Sequence, residues 1–298
     1  MDVRTLTGRI DRSTAAWGPS VLRATAAMLW LANVNWKVPP AFGRAGERCV
    51  ALCRFVEAGA ENPVVPGSAW FFEHVASPNL ALFGWITLLT ESVLVVLLVS
   101  GRFVRIAAVV GMAMSFGIGL AVANAEHEWY WSYLLMIALH LAILVTAPTA
   151  RVQSARATAV VVAVYGVVVA IAHAGAGVSG AGDWLLFDQA NDFPGDWGRS
   201  TFPGSIALGV AFVALAAIAW AVAPRPCPHR GRILGWVLIG VAACLLFSYR
   251  SDDLVIGLGS RAGSAAMLAA LGLSLAVPPP GEREPAAEPT TPGAERSP

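Results

Sequence analysis

Apolar stretches of membrane-crossing length recur along this chain, at 21–38, 80–100, 103–124, 130–147, 157–174, 203–223, 233–248 and 254–277. A spanning helix needs roughly 20 mostly apolar residues, and inside lipid the backbone must satisfy its own hydrogen bonds. The chain is therefore read as an all-α polytopic membrane protein with about eight transmembrane helices. Composition agrees. Charged residues make up 13% of the sequence, against about a quarter in a soluble domain, and hydrophobic residues make up 56%.

Basic residues orient the spans. Arg4, Arg9, Arg12, Arg23, Arg102, Arg105, Arg151 and Arg156 fall on one side, while Lys37, Arg44, Arg48 and Arg54 fall on the other. Cytoplasmic loops carry the excess of Lys and Arg, which predicts a multi-pass plasma-membrane protein with both termini cytoplasmic. The net charge of +1 and the lack of a basic patch argue against nucleic acid and leave the lipid bilayer as the first partner. The Pro- and Glu-rich stretch 278–298 has little to bury and reads as a disordered cytoplasmic tail.

The outer loops divide the chain. A cytoplasmic segment (1–20) precedes one four-helix unit (21–150), and a second four-helix unit (151–277) follows, each with a long outer loop after its first span. "RATA" opens the first span at 23–26 and the fifth at 156–159; "GRFVRIAAVVG" (101–111) opens the third and "GRILGWVLIG" (231–240) the seventh. Two four-helix bundles related by a degenerate duplication would produce such echoes, and so would chance likeness among apolar helices. Small residues at Gly111, Ser115 and Gly119, and at Ala262, Ala266, Ala270 and Ser274, recur every four positions and read as packing seams.

One acid interrupts the second span. At a bilayer centre Glu91 costs on the order of 2.5–3.5 kcal/mol, so it needs a partner or a purpose. Gly84, Thr87 and Glu91 share a helix face that should look inward. The fourth span holds His140, with Tyr133 and Met136 on its stripe. Counting from Asn79 and Trp129, the two ionisable residues lie roughly 18 Å and roughly 16 Å deep. Glu91 and His140 are thus the candidate catalytic pair for handling protons. Helices two and four are diagonal in a sequentially wound bundle, so contact would need a bridging water or ligand. The alternative is a neutral Glu91 bonded to helix backbone or to Thr87.

Trp30, Asn33 and Lys37 line one stripe of the first span, and Lys37 is the only lysine in the chain. Asn33 and Lys37 could hold an anion or a quinone carbonyl; otherwise the Lys37 stem snorkels to the headgroups. Cys49 and Cys53 lie in "AFGRAGERCVALCRFVEAG". Helical geometry there would put both thiols on one face, open to a disulfide or a thiol–disulfide switch; two cysteines facing the membrane surface are the alternative. No Cys/His spacing predicts a metal site.

These residues resemble the DoxX/DoxD group of small membrane proteins, which includes the DoxD-like subunit of thiosulfate:quinone oxidoreductase. The likeness covers about residues 20–150. It rests on Arg23 opening the first helix, Lys37 closing it in "NWKVPP", Glu91 with the Gly101-x-x-x-Arg105 turn in "ESVLVVLLVSGRFVRIAA", and the aromatic re-entry "EHEWYWSYLLM". It implies a four-helix membrane unit, linked in some members to oxidation of sulfur compounds or thiols with electrons passed to quinone, usually with partner redox subunits. This chain departs from the pattern by carrying four further spans. On that reading Glu91 and His140 move protons while Trp30, Asn33, Lys37, Tyr133 and Arg105 bind the ligand. A non-catalytic scaffold for redox enzymes is the rival, and a small-molecule transporter ranks last.

Overall fold

The computed structural model describes residues 3–35, 37, 39–46, 48–122, 124, 130–147, 154–179, 202–223, 228–247 and 261–277. Residues 180–201, which hold most of the long outer loop expected in the second unit, and the whole tail 278–298 lie outside them.

A helix stands at every expected span. They are α1 (Val3–Asn35), α4 (Leu80–Ser100), α5 (Val104–Val122), α6 (Tyr130–Thr146), α7 (Ala155–Ser179), α8 (Phe202–Val222), α9 (Pro228–Phe247) and α10 (Arg261–Ala276). Between α1 and α4 come the short helices α2 (Leu52–Glu61) and α3 (Ser68–Phe71), the latter running into one π-helical turn, Phe72–Ala76. The only β pairing among the described residues joins β1 (Arg44–Ala45) to β2 (Arg48–Cys49), so the fold is helical. Among the described residues, three helices are long and apolar enough to cross a membrane: Leu80–Ser100, Val104–Val122 and His229–Phe247. Large apolar side chains such as Leu82, Ile86, Phe116, Leu134, Ile171 and Trp236 project outward, the surface that lipid requires. The first helix begins eighteen residues ahead of the apolar stretch and carries Pro19 in its interior.

Packing pairs consecutive long helices. Helix α1 lies on α4, α5 on α6, α7 on α8 and α9 on α10, and α1 also reaches α6 as α7 reaches α10. The two groups of four are not insulated. Helix α10 packs on α4, and one core runs from Ala26 and Trp30 through Leu94 and Met136 to Phe212 and Leu271.

Arg102 fastens this junction. Helix α4 stops at Gly101, whose left-handed φ of 69° suits a residue without a side chain. The next residue is buried beneath α10. There its guanidinium donates to Val277 O (2.8 Å from Nε) and Ser274 O (3.0 Å from Nη2), and to Ser100 O at 3.0 Å. The last carbonyls of a helix have no partners within it, so an arginine from the first group satisfies the end of the last helix.

Candidate functional site

The site forms where the C-terminal end of α1 meets the middle of α4 and of α6. Helix α1 turns Trp30 and Val34 to the interior, and Lys37, two residues past the end of the helix, is buried with them. The Lys37 stem folds back along the end of α1. Its ammonium donates to Asn33 O at 2.8 Å and to Glu91 Oε1 at 2.9 Å, with Oε2 at 2.8 Å. Both side chains are essentially inaccessible, at 2% and 0% exposure. Lys37 is thus the partner that Glu91 needs at that depth. Oε2, although beside the ammonium, accepts no well-directed hydrogen bond among the described residues.

Two turns deeper on α1, the Trp30 indole donates to His140 Nε2 at 2.9 Å. An indole nitrogen can only donate, so Nε2 must be the accepting nitrogen and Nδ1 must carry the proton. Nδ1 lies 2.7 Å from Met136 O, one turn back on α6, and donates to it. Both ring nitrogens are satisfied by a neutral imidazole. The ring fits only because α5 has no side chain at Gly111, where a Cβ would overlap it. Ser115 holds that turn of α5 by donating to Gly111 O at 2.8 Å.

The expected Glu91–His140 pair is therefore not formed. The carboxylate is engaged by Lys37 and the imidazole by Trp30 and Met136, with α1 standing between the diagonal helices. Trp30 lies three residues deeper than Asn33, so the ring and the carboxylate differ in level by roughly 5 Å along the axis. Matched residue counts missed this because a lysine stem carries its charge about 6 Å from the backbone, and that reach selected the partner. The inward face of α4 is otherwise as expected: Gly84, Thr87 and Glu91 are all buried, and Thr87 donates to Phe83 O.

The remaining predicted residues are dispersed. Asn33 donates its side-chain amide to Leu29 O on its own helix and presents only its carbonyl to Lys37. Tyr133 is half-buried against Gly119 of α5, and Arg105 is exposed on the first turn of that helix. Among residues the sequence did not single out, Phe42 stands foremost. Its ring is fully buried and lies where a Cβ at Gly84 would stand, one face-repeat above Glu91 on α4. Arg102 was counted only as a basic residue of an inner turn. An arginine directly after a glycine that closes an apolar run was the available signal.

Phe42 belongs to a roof built from residues 39–46 and 48–79. Helix α2 turns Leu52, Cys53 and Val56 inward, and Phe72 packs over Gly59. Backbone bonds from Val50 to Gly43 O and from Cys53 to Phe42 O, both 3.0 Å, close the turn. Cys49 and Cys53 are joined in a disulfide with Cα atoms 5.2 Å apart. The residues around them do not form one helix: Cys49 ends β2, and Cys53 lies in the first turn of α2. So short a ring stabilises by only about 2 kcal/mol through chain entropy.

No protein-family model matches this chain, and neither a curated protein nor a solved structure does.

Proposed function

We propose that the chain is an eight-span plasma-membrane subunit of the DoxX/DoxD type, with both termini cytoplasmic. In this reading it links oxidation of a thiol or another sulfur compound on the outer side to membrane quinone. The observation that carries the proposal is the Lys37–Glu91 pair. Replacing a buried ion pair by well-packed apolar residues is commonly neutral or stabilising, so the pair is weakly explained as a structural brace. Its two residues are also among those that carry the DoxX/DoxD resemblance, 54 positions apart and in hydrogen-bond contact. An ammonium beside a carboxylate, dry and close to the roofed end of the bundle, is suited to a quinone headgroup. The ammonium can donate to a carbonyl oxygen, and the carboxylate can take up or deliver the proton that accompanies reduction. His140, neutral and doubly bonded, holds Trp30 and hence the inner wall of that site rather than relaying protons.

The test is the double variant Lys37→Met/Glu91→Leu, which removes both charges together and leaves neither stranded. It should insert and fold, and it should lose thiol-dependent reduction of a short-chain quinone in membranes by about a hundredfold or more. Undiminished quinone reduction in a folded double variant would sink the redox reading and favour a non-catalytic scaffold that docks partner redox enzymes.

A further inference from the structure

We propose that Cys49, Cys53 and Glu57 form a thiol–disulfide exchange site on the roof, taking a dithiol as substrate. Four observations converge on it. Both sulfurs and a Glu57 carboxylate oxygen lie within 4.8 Å of one another, with Cys49 half-buried, Cys53 buried and Glu57 exposed. The turn is already closed by backbone hydrogen bonds and anchored by buried Phe42, so the disulfide can open without the loop coming apart. The ring spans a separation of only four residues, which leaves it a minor structural role. Finally, Cys53 occupies the first turn of α2, where the helix N-terminus favours a thiolate.

The geometry fixes the direction of exchange. A substrate thiol loses its proton to the Glu57 carboxylate and its sulfur attacks Cys49 Sγ, the more accessible of the two. The Cys49–Cys53 bond breaks and Cys53 leaves with the electron pair as a thiolate, the better leaving group. The second substrate thiol then attacks the mixed disulfide. Substrate disulfide is released, and the roof keeps two electrons and two protons as a pair of thiols. Only the return step rests on the function proposed above: a quinone taken to its quinol accepts those two electrons and two protons.

The first half of the cycle needs no quinone and is tested without one, on the full chain in detergent. With dithiothreitol as the probe, mass spectrometry after alkylation should show the pair reduced within minutes in folded protein, one dithiol oxidised per chain. In Cys53→Ser, Cys49 should capture 5-thio-2-nitrobenzoate from Ellman's reagent about tenfold or more faster than Cys53 does in Cys49→Ser. Glu57→Gln should slow exchange near neutral pH and regain the wild-type rate at alkaline pH, where the attacking thiol ionises unaided, a recovery that a structural role would not give. A pair reduced only after denaturation, or equal capture by the two cysteines, would overturn the proposal. Normal exchange with no reoxidation by added quinone would count against the quinone linkage alone and leave this site standing.

Discussion

The two four-helix groups use glycine to opposite ends. In the second group glycine faces glycine. A Cβ at Gly166 would stand 2.6 Å from Gly209 O, and one at Gly235 would stand 2.6 Å from Gly272 O, so α7 meets α8 and α9 meets α10 backbone to backbone. In the first group glycine faces a ring: Gly111 admits His140, Gly84 admits Phe42, and Gly119 meets Tyr133. Lipid supplies no hydrophobic force between helices, so close backbone approach is how the second group holds together. The first group gives up such approach to house polar side chains. A lysine, a glutamate and a histidine are buried there, while the described core of α7 to α10 is built from residues such as Val162, Phe212, Ala242 and Leu271. One group is organised by close backbone approach and the other around buried polar side chains.

The largest test of that contrast is to strand a charge. Lys37→Met alone leaves Glu91 in a dry interior with no cation and should destabilise the protein by about 3–5 kcal/mol. The double variant Lys37→Met/Glu91→Leu should recover most of that loss. Unfolding midpoints in detergent compare the two. Equal losses would mean that the pair is a packing element no different from those of the second group.

A smaller effect separates the two uses of glycine. Gly209→Ala drives a methyl into the backbone of α7, which cannot yield locally, and overpacking of that kind costs about 1–3 kcal/mol. Gly111→Ala meets a ring instead. The ring can turn aside, so the cost should be nearer about 1 kcal/mol and should appear as loss of the Trp30–His140 hydrogen bond. Thermal unfolding of the two variants, with imidazole nitrogen chemical shifts for the second, decides the point. Equal losses with an unmoved imidazole would erase the distinction.

What the sequence disclosed follows from the range of the forces involved. Helix positions were legible because each needs only its own run of apolar residues, and the inward face of α4 was legible because Gly84, Thr87 and Glu91 repeat at helical spacing. The seam Gly111, Ser115 and Gly119 was likewise visible as a ridge. The partner of Glu91 was not, since depth counted along the backbone ignores how far a lysine reaches. Phe42 and Arg102 were hidden for a related reason. Each is an ordinary loop residue until the chain folds back, when one meets Gly84 and the other the end of a helix 172 positions away.

The last test sets two tryptophans against each other. Trp30 is fully buried and its N–H is, among the described residues, the only donor to His140 Nε2, whereas Trp220 on α8 is 46% exposed, with the Arg156 guanidinium 5.2 Å above its ring. Trp30→Phe keeps an aromatic ring in place but leaves a buried imidazole acceptor unsatisfied, which costs about 1–2 kcal/mol. Trp220→Phe removes a donor at an exposed site and should stay within about 0.5 kcal/mol. The imidazole should keep its proton on Nδ1 in Trp30→Phe, because Met136 O still accepts it; nitrogen shifts of labelled His140 would show this directly. Should the proton move to Nε2, the backbone bond is the weaker of the two, and Trp30 rather than α6 sets the state of the ring.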